Sequence, residues 1–133
     1  MWLLKSDGSF GAMDAPAEVE IPGDAAIDRV PVAHSIAVLF GGTADGRGFS
    51  VARQLRARGY GGTLIATGPL IPDQARHAFQ SGFDAIAITD ERLERHGEGA
   101  WRDAAAVAVR ELYVADTTSR GAERGIWALR HAS

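Results

Sequence analysis

The side chains best suited to chemistry lie in one glycine-rich loop, which runs from Gly41 to Gly48. The loop follows a short apolar run and precedes a helical pattern, so its backbone N–H groups would lie near the positive end of a helix. Such a loop can hold a phosphate or another anion. Its glycine spacing matches neither a dinucleotide-binding fingerprint nor a P-loop. The alternative interpretation is a tight turn in which Asp45 or Ser50 caps the helix.

The candidate ligand-binding residues come from this loop, from the first turn of the helix and from the end of a later strand. They are Gly41, Gly42, Thr43, Asp45, Gly46, Arg47, Ser50 and Asp90. Ligands of parallel sheets bind beyond the carboxyl ends of the strands, which is where this set is expected to lie. Asp84 precedes a strand, at the opposite edge, and is predicted to be structural.

Metal and thiol chemistry are not predicted. The chain has no Cys, which excludes disulfides, thiolate nucleophiles and Cys-ligated clusters. The four His residues lack metal-ligand spacing, and no Ser lies in a nucleophile elbow. The residues therefore indicate no particular cofactor, and the catalytic residues stay unknown.

Strand and helix patterns alternate through the centre of the chain. Apolar runs at 35–40, 63–67 and 84–89 are typical of strands buried on both faces. Amphipathic patterns predict helices at 48–58, at 72–80 and from 98 or 99 to 115. Consecutive βα units of this kind predict an α/β fold with a small parallel sheet, either three-layered or resembling half of a (β/α) barrel.

The ends of the chain are less regular. Residues 17–21 alternate apolar and charged side chains, so the N-terminal arm could add a strand. We divide the chain into an arm (1–34), a βαβαβα core (35–116) and a C-terminal tail (117–133). A three-stranded sheet leaves edges unpaired, and we expect a homo-oligomer, a dimer formed through the arm or the apolar tail around Trp127.

Length and composition are those of one ordinary globular domain. The chain has 133 residues, of which 46% are hydrophobic and 23% charged, with a net charge of −3. An acidic balance does not suggest nucleic-acid binding. No apolar run is long enough to span a membrane, and the short apolar start is not a signal peptide, so we expect a cytoplasmic protein.

Two sequence blocks resemble a bacterial family, the domain of unknown function 934. The first block comprises Phe40 and residues 45–50, followed by Ala-Arg at 52–53 and Leu-Arg at 55–56. The second comprises Gly68, Asp73-Gln74 and Gly82-Phe83-Asp84-Ala85. The resemblance covers roughly residues 36–90. The chain differs from the family at Gly41-Gly42-Thr43, where a bulkier segment is expected.

The family is often labelled as an oxidoreductase of sulfite reduction, and its members tend to be encoded beside the sulfite reductase haemoprotein. The resemblance therefore implies a role in assimilatory sulfite reduction with that haemoprotein as a partner. An accessory role is favoured over catalysis by the chain alone, because the residues carry no nicotinamide or flavin fingerprint. Only the family label suggests an oxidoreductase, and the residues leave open whether the protein is an enzyme.

The alternative function is a small oxidoreductase that binds a nucleotide or anion on the Gly41–Gly48 loop. A minor variant of it follows from the segment Val38–Arg47, which is similar to the opening of precorrin-6A reductases. In those nicotinamide-dependent enzymes the Gly-Gly-Thr turn would contact the cofactor phosphates.

Overall fold

A computed structural model describes residues 1–13, 15–42 and 46–106. These residues form one six-stranded sheet and four helices. The strands are β1 (Trp2–Lys5), β2 (Phe10–Ala12), β3 (Val19–Pro22), β4 (Ser35–Leu39), β5 (Thr63–Thr67) and β6 (Ala85–Ile88). The helices are α1 (Arg47–Ala57), α2 (Pro72–Ser81), α3 (Asp90–His96) and α4, which begins at residue 98 and is described to residue 106. The predicted end of the last helix and the tail around Trp127 lie outside the described residues.

The sheet contains a parallel core of four strands. Its order is β2-β1-β6-β5-β4-β3, and β3 to β6 run parallel. The hairpin of β1 and β2 adds to β6 in antiparallel orientation. The predicted α/β fold is confirmed. The N-terminal arm supplies three strands, whereas its sequence indicated only β3, because four- and three-residue strands are too short to show a clear period.

The helices contribute to one main hydrophobic core, which lies on one face of the sheet. Inward side chains of the parallel strands, such as Val38, Leu64 and Ile86, pack there against Leu55, Phe79 and Trp101 from three helices. The shared face follows from the strand order, because right-handed crossovers that always step to the next strand place their helices on one side. Within the described residues this is the half-barrel-like arrangement and not the three-layered one.

The opposite face of the sheet carries small side chains and no helix of the described part. Ala37, Ile65, Ala85 and Ala87 form its buried centre. They are covered by Leu3, by Met13 and by Ala17, of which the last two belong to the segment between β2 and β3. An extended segment replaces a helix layer here, and it can approach closely because most of the side chains beneath it are alanines.

Candidate functional site at the carboxyl edge of the sheet

Three turns lie side by side where β4, β5 and β6 end, at what we call the carboxyl edge of the sheet. They contain Gly41-Gly42, Gly68-Pro69 and Thr89. This is the edge at which parallel sheets bind ligands. Four of the predicted site residues, Gly41, Gly42, Gly46 and Arg47, flank this edge around the start of α1. Thr43 and Asp45 lie outside the described residues.

Glycines let the backbone pack closely around Phe40, the residue after β4. A Cβ atom on Gly68 would lie 2.4 Å from the Phe40 carbonyl oxygen, and one on Gly48 would lie 2.5 Å from the Phe40 ring. Gly68 also has a φ of +121°, which disfavours other residues. The Phe40 N–H donates to the Thr67 carbonyl, which extends the ladder beyond the strands. These glycines therefore serve close packing, and a bound ligand is not needed to explain them.

Helix α1 begins at Arg47 after the N-cap residue Gly46, and no side chain of the described residues caps it. Its first turn contains no acidic residue, and the Phe49 N–H donates to the Gly46 carbonyl at 3.2 Å. The expected cap by Ser50 is not formed, because Ser50 already lies inside the helix and its hydroxyl accepts from the Gln54 amide at 3.2 Å. Arg47 pairs with Asp24, which follows β3, at 3.9 Å, and both side chains are exposed.

Asp90 lies at the same edge but apart from the glycine loop. It is the first residue of α3, and its Oδ1 accepts the indole N–H of Trp2 at 2.8 Å. The cap of α3 is the neighbouring Thr89, whose hydroxyl accepts from the Arg92 N–H. Since β5 lies between β4 and β6, about 9–10 Å separates the strand leading to Asp90 from the strand leading to Gly41. The described members of the predicted set are therefore spread along the edge over two strand spacings, and a ligand bound by the set stays a prediction.

The carboxyl edge also exposes large apolar side chains. In the described part, Leu39 is 39% exposed and Trp2 is 38% exposed, and Met1 next to it is also exposed. Leu39 ends β4, and Trp2 pairs with Ile88 at the end of β6, so both lie at this edge. Sequence reasoning missed them, because Leu39 closes an apolar run that predicts burial on both faces. Val32, which is fully exposed, lies before β4 at the opposite, amino edge.

Several residues of the family motifs form a structural network at the amino edge. The Arg56 guanidinium donates to the carbonyls of Tyr60, Gly62 and Gly82 and to Asp84 Oδ2 at 2.8 Å. The same carboxylate oxygen accepts the Leu64 N–H at 2.9 Å. This network joins α1 to the starts of β5 and β6. The structure thus places Asp84 in a structural role, as its position before a strand indicated.

Two further motif residues contact the second helix. Arg53 donates to the Ser81 hydroxyl at 3.2 Å, which ties α1 to the end of α2. The Gln74 side chain accepts from the Ile71 N–H at 3.1 Å and closes the first turn of α2. Both contacts are accounted for by helix packing and capping.

An open groove of about 750 Å³ lies between α2 and α4. Its walls include Asp73, His77 and Asp103. The His77 ring stacks on Phe49 with 4.3 Å between ring centroids. Among residues 1–13, 15–42 and 46–106, no group of three or more His, Asp or Glu side chains could hold a metal ion, in this groove or elsewhere.

The fold and this edge define an α/β protein with a parallel core, helices on one face and glycine-rich turns at the carboxyl ends of its strands. The chain belongs to the family described as "Bacterial protein of unknown function (DUF934)", whose model matches residues 17–117. This match confirms the resemblance seen in the two motif blocks. No curated protein and no solved structure matches the chain. Within the described part, no helix is both long and apolar enough to cross a membrane.

Proposed function

We propose that this protein is an accessory protein of assimilatory sulfite reduction, which docks on the sulfite reductase haemoprotein through the carboxyl edge of its sheet. The pathway and the partner come from the family label and from the position of family members beside that haemoprotein. The docking surface comes from the structure. It consists of Leu39, Trp2 and Met1 together with the Arg47–Asp24 ion pair.

The observation that carries the proposal is the exposure of Leu39 and Trp2 at the same edge of the sheet, Trp2 on the helix side and Leu39 on the helix-free side. Aromatic residues, Met and Arg are enriched in protein–protein interfaces, and exposed apolar groups with a polar rim mark binding surfaces. Arg47 and Asp24 supply such a rim beside Leu39. Two carboxylates at this edge are already paired within the chain. Asp90 accepts a hydrogen bond from Trp2, and Asp24 forms an ion pair with Arg47.

The test is a binding measurement between the full chain and the haemoprotein of the same organism by biolayer interferometry. We expect Leu39→Glu to weaken binding by about tenfold or more, as for a central interface residue. Val32→Glu is the matched control, since it places the same charge on an equally apolar and more exposed residue at the amino edge. Absence of binding by the wild-type chain, or equal loss in both variants, would reject the proposed surface.

The alternative, an oxidoreductase that binds a nucleotide or anion, is favoured by one feature. Among the residues that the structure describes, no side chain caps helix α1, and its first residue is the exposed Arg47. An anion there would meet helix N–H groups and a guanidinium.

A thermal-shift screen with NADH, NADPH, FAD, FMN, sulfite, sulfate and phosphate tests this alternative. A ligand at 100 times its Kd stabilises a protein by about 2.7 kcal/mol, which raises Tm by several degrees for a domain of this size. A shift that is lost in Arg47→Ala and kept in Arg95→Ala, an exposed arginine of α3, would favour the oxidoreductase. No shift with any ligand would favour the accessory role.

A further inference from the structure

The segment between β2 and β3 crosses the helix-free face of the sheet. We call residues 13–18 the strap; residue 14 lies outside the described part. The strands that the strap joins are the two end strands of the sheet, with four strands between them. Met13 and Ala17 pack on the buried centre of the face, so the strap passes over the sheet and not around it.

The strap runs diagonally. Ala12, just before it, pairs with Trp2, which pairs with Ile88 at the carboxyl edge. Val19, just after it, pairs with Ile36 near the amino edge. Between these two ends, β6, β5 and β4 are in register with Ile86 beside Ala66 and Ala66 beside Val38. Measured along the strand direction, Ala12 and Val19 therefore lie about four residues apart.

Both ends of the strap are fixed by hydrogen bonds. The Met13 N–H donates to the Met1 carbonyl at 3.1 Å. At the other end, the Glu18 N–H donates to the Ser35 hydroxyl, and the His34 N–H donates to the Glu18 carboxylate, each at 3.0 Å. The strap therefore cannot gain length by fraying at its ends without losing these bonds.

The strap would be too short to join its two ends across a flat sheet. Five strand spacings amount to about 24 Å, and a four-residue offset adds about 13 Å along the strands. In a flat sheet the two ends would be about 27 Å apart. The seven residue steps from Ala12 to Val19 reach at most about 25 Å when fully extended. The sheet must therefore twist and curve toward the strap so that these two corners approach each other.

We propose that the strap is a length-limited clasp that couples the β1–β2 hairpin to β3 and holds the sheet curved. Release of either end strand would free the other from this restraint. This coupling of the end strands is independent of the proposed docking surface, because Trp2 and Leu39 belong to strands that are paired through β6 and β5.

Hydrogen exchange with mass spectrometry tests the clasp with variants of different strap length. Deletion of Ala15 leaves six steps, at most about 22 Å. We expect β1–β2 or β3 to lose its protection in this variant while β4 to β6 keep theirs. Ala15→Gly is the matched control, because it removes the same side chain at unchanged length. Protection of both end strands after the deletion would overturn the clasp.

A second measurement uses a longer strap, since the deletion variant could fail to fold. The chain has no Cys, so spin labels can be placed at Ala12→Cys and Glu20→Cys alone. After insertion of two glycines behind Ala15, we expect the distance between the labels, measured by pulsed electron resonance, to increase or broaden by several ångströms. An unchanged distribution would contradict the clasp. Neither readout involves the haemoprotein, so failure of the clasp and failure of docking are distinguishable.

Discussion

At the scale of single residues, Arg56 and Asp84 connect α1 to the starts of β5 and β6. Both are largely buried, with side-chain exposures of 27% and 15%. Arg56 donates to three backbone carbonyls, at the ends of α1 and α2 and before β5. The contribution of Arg56 and Asp84 to the stability of the fold therefore explains why both belong to the family motifs.

We expect Arg56→Ala to lower the free energy of unfolding by about 2–4 kcal/mol, because it removes a guanidinium donor from a largely buried carboxylate and from three carbonyls. Urea denaturation at pH 7 measures the loss. Arg95→Ala, which breaks an exposed ion pair with Glu91, is the control and should change stability by less than about 0.5 kcal/mol. Equal effects of both variants would show that the network is not a stabilising unit.

Gly68 provides a second residue-scale prediction. We expect Gly68→Ala to destabilise the protein by more than about 2 kcal/mol, because it combines a positive φ with a backbone clash at Phe40. Gly59→Ala also has a positive φ, of +95°, but meets open space, and should cost about 1 kcal/mol. Thermal unfolding of both variants separates the clash from the φ penalty. A larger loss for Gly59→Ala would refute this explanation.

At the scale of elements, the connector between β3 and β4 takes the place of a crossover helix. Ile27 inserts into the helix-side core, and the connector is fixed near its end by Tyr60, whose hydroxyl donates to the Ala33 carbonyl at 3.0 Å. The Arg58 guanidinium contacts the Asp28 carbonyl in the same connector. A connector without a helix can cover this part of the helix side of the sheet because α1 lies directly beside the connector.

Tyr60→Phe should cost about 0.5–1.5 kcal/mol at pH 7, since it leaves the Ala33 carbonyl without this donor. Burial raises the pKa of Tyr60 above its ordinary value of 10.0. The folded state therefore holds this proton more tightly, and its contribution is complete below pH 10 and lost as pH rises through the folded pKa. Tm measured from pH 8 to 11 should fall more steeply for the wild type than for Tyr60→Phe; parallel curves would exclude this linkage.

At the scale of the whole molecule, the six-stranded sheet ends at β2 and β3, with helices on one face and the strap on the other. Pairing within the chain places the N-terminal arm at both ends of the sheet. The arm therefore stabilises the parallel core on two sides. Unpaired strand edges attract other chains, and Glu20 and Pro22 on β3 are residue types that discourage such pairing.

The homodimer expected from unpaired edges stays a prediction. We expect light scattering after size exclusion to give twice the chain mass of 14.1 kDa at micromolar concentration. A second copy would cover an end strand of the sheet. A single mass of one chain across the micromolar range would reject the dimer.

Much of the parallel core could be predicted from local patterns. The runs at 35–40, 63–67 and 84–89 gave strands within about one residue of β4, β5 and β6, because strands buried on both faces must be continuously apolar. The helices α1 and α2 were predicted from their amphipathic patterns, because a helix that packs on a sheet buries only one of its faces. At the candidate site, Gly41, Gly42 and Asp90 lie at the carboxyl edge, as their position after apolar runs indicated. Thr43 and Asp45 lie outside the described part, and ligand binding by the set stays a prediction.

The sequence by itself determined the α/β class, the βα repeat and the family, because these depend on side-chain periodicity and on motifs close together in the chain. Only the tertiary structure decided which residues share the carboxyl edge and that Leu39 and Trp2 are exposed there. It also decided that the β1–β2 hairpin pairs with β6 through β1 and that a seven-step segment joins the two end strands. These features depend on contacts between residues far apart in sequence, for which local pattern carries no signal.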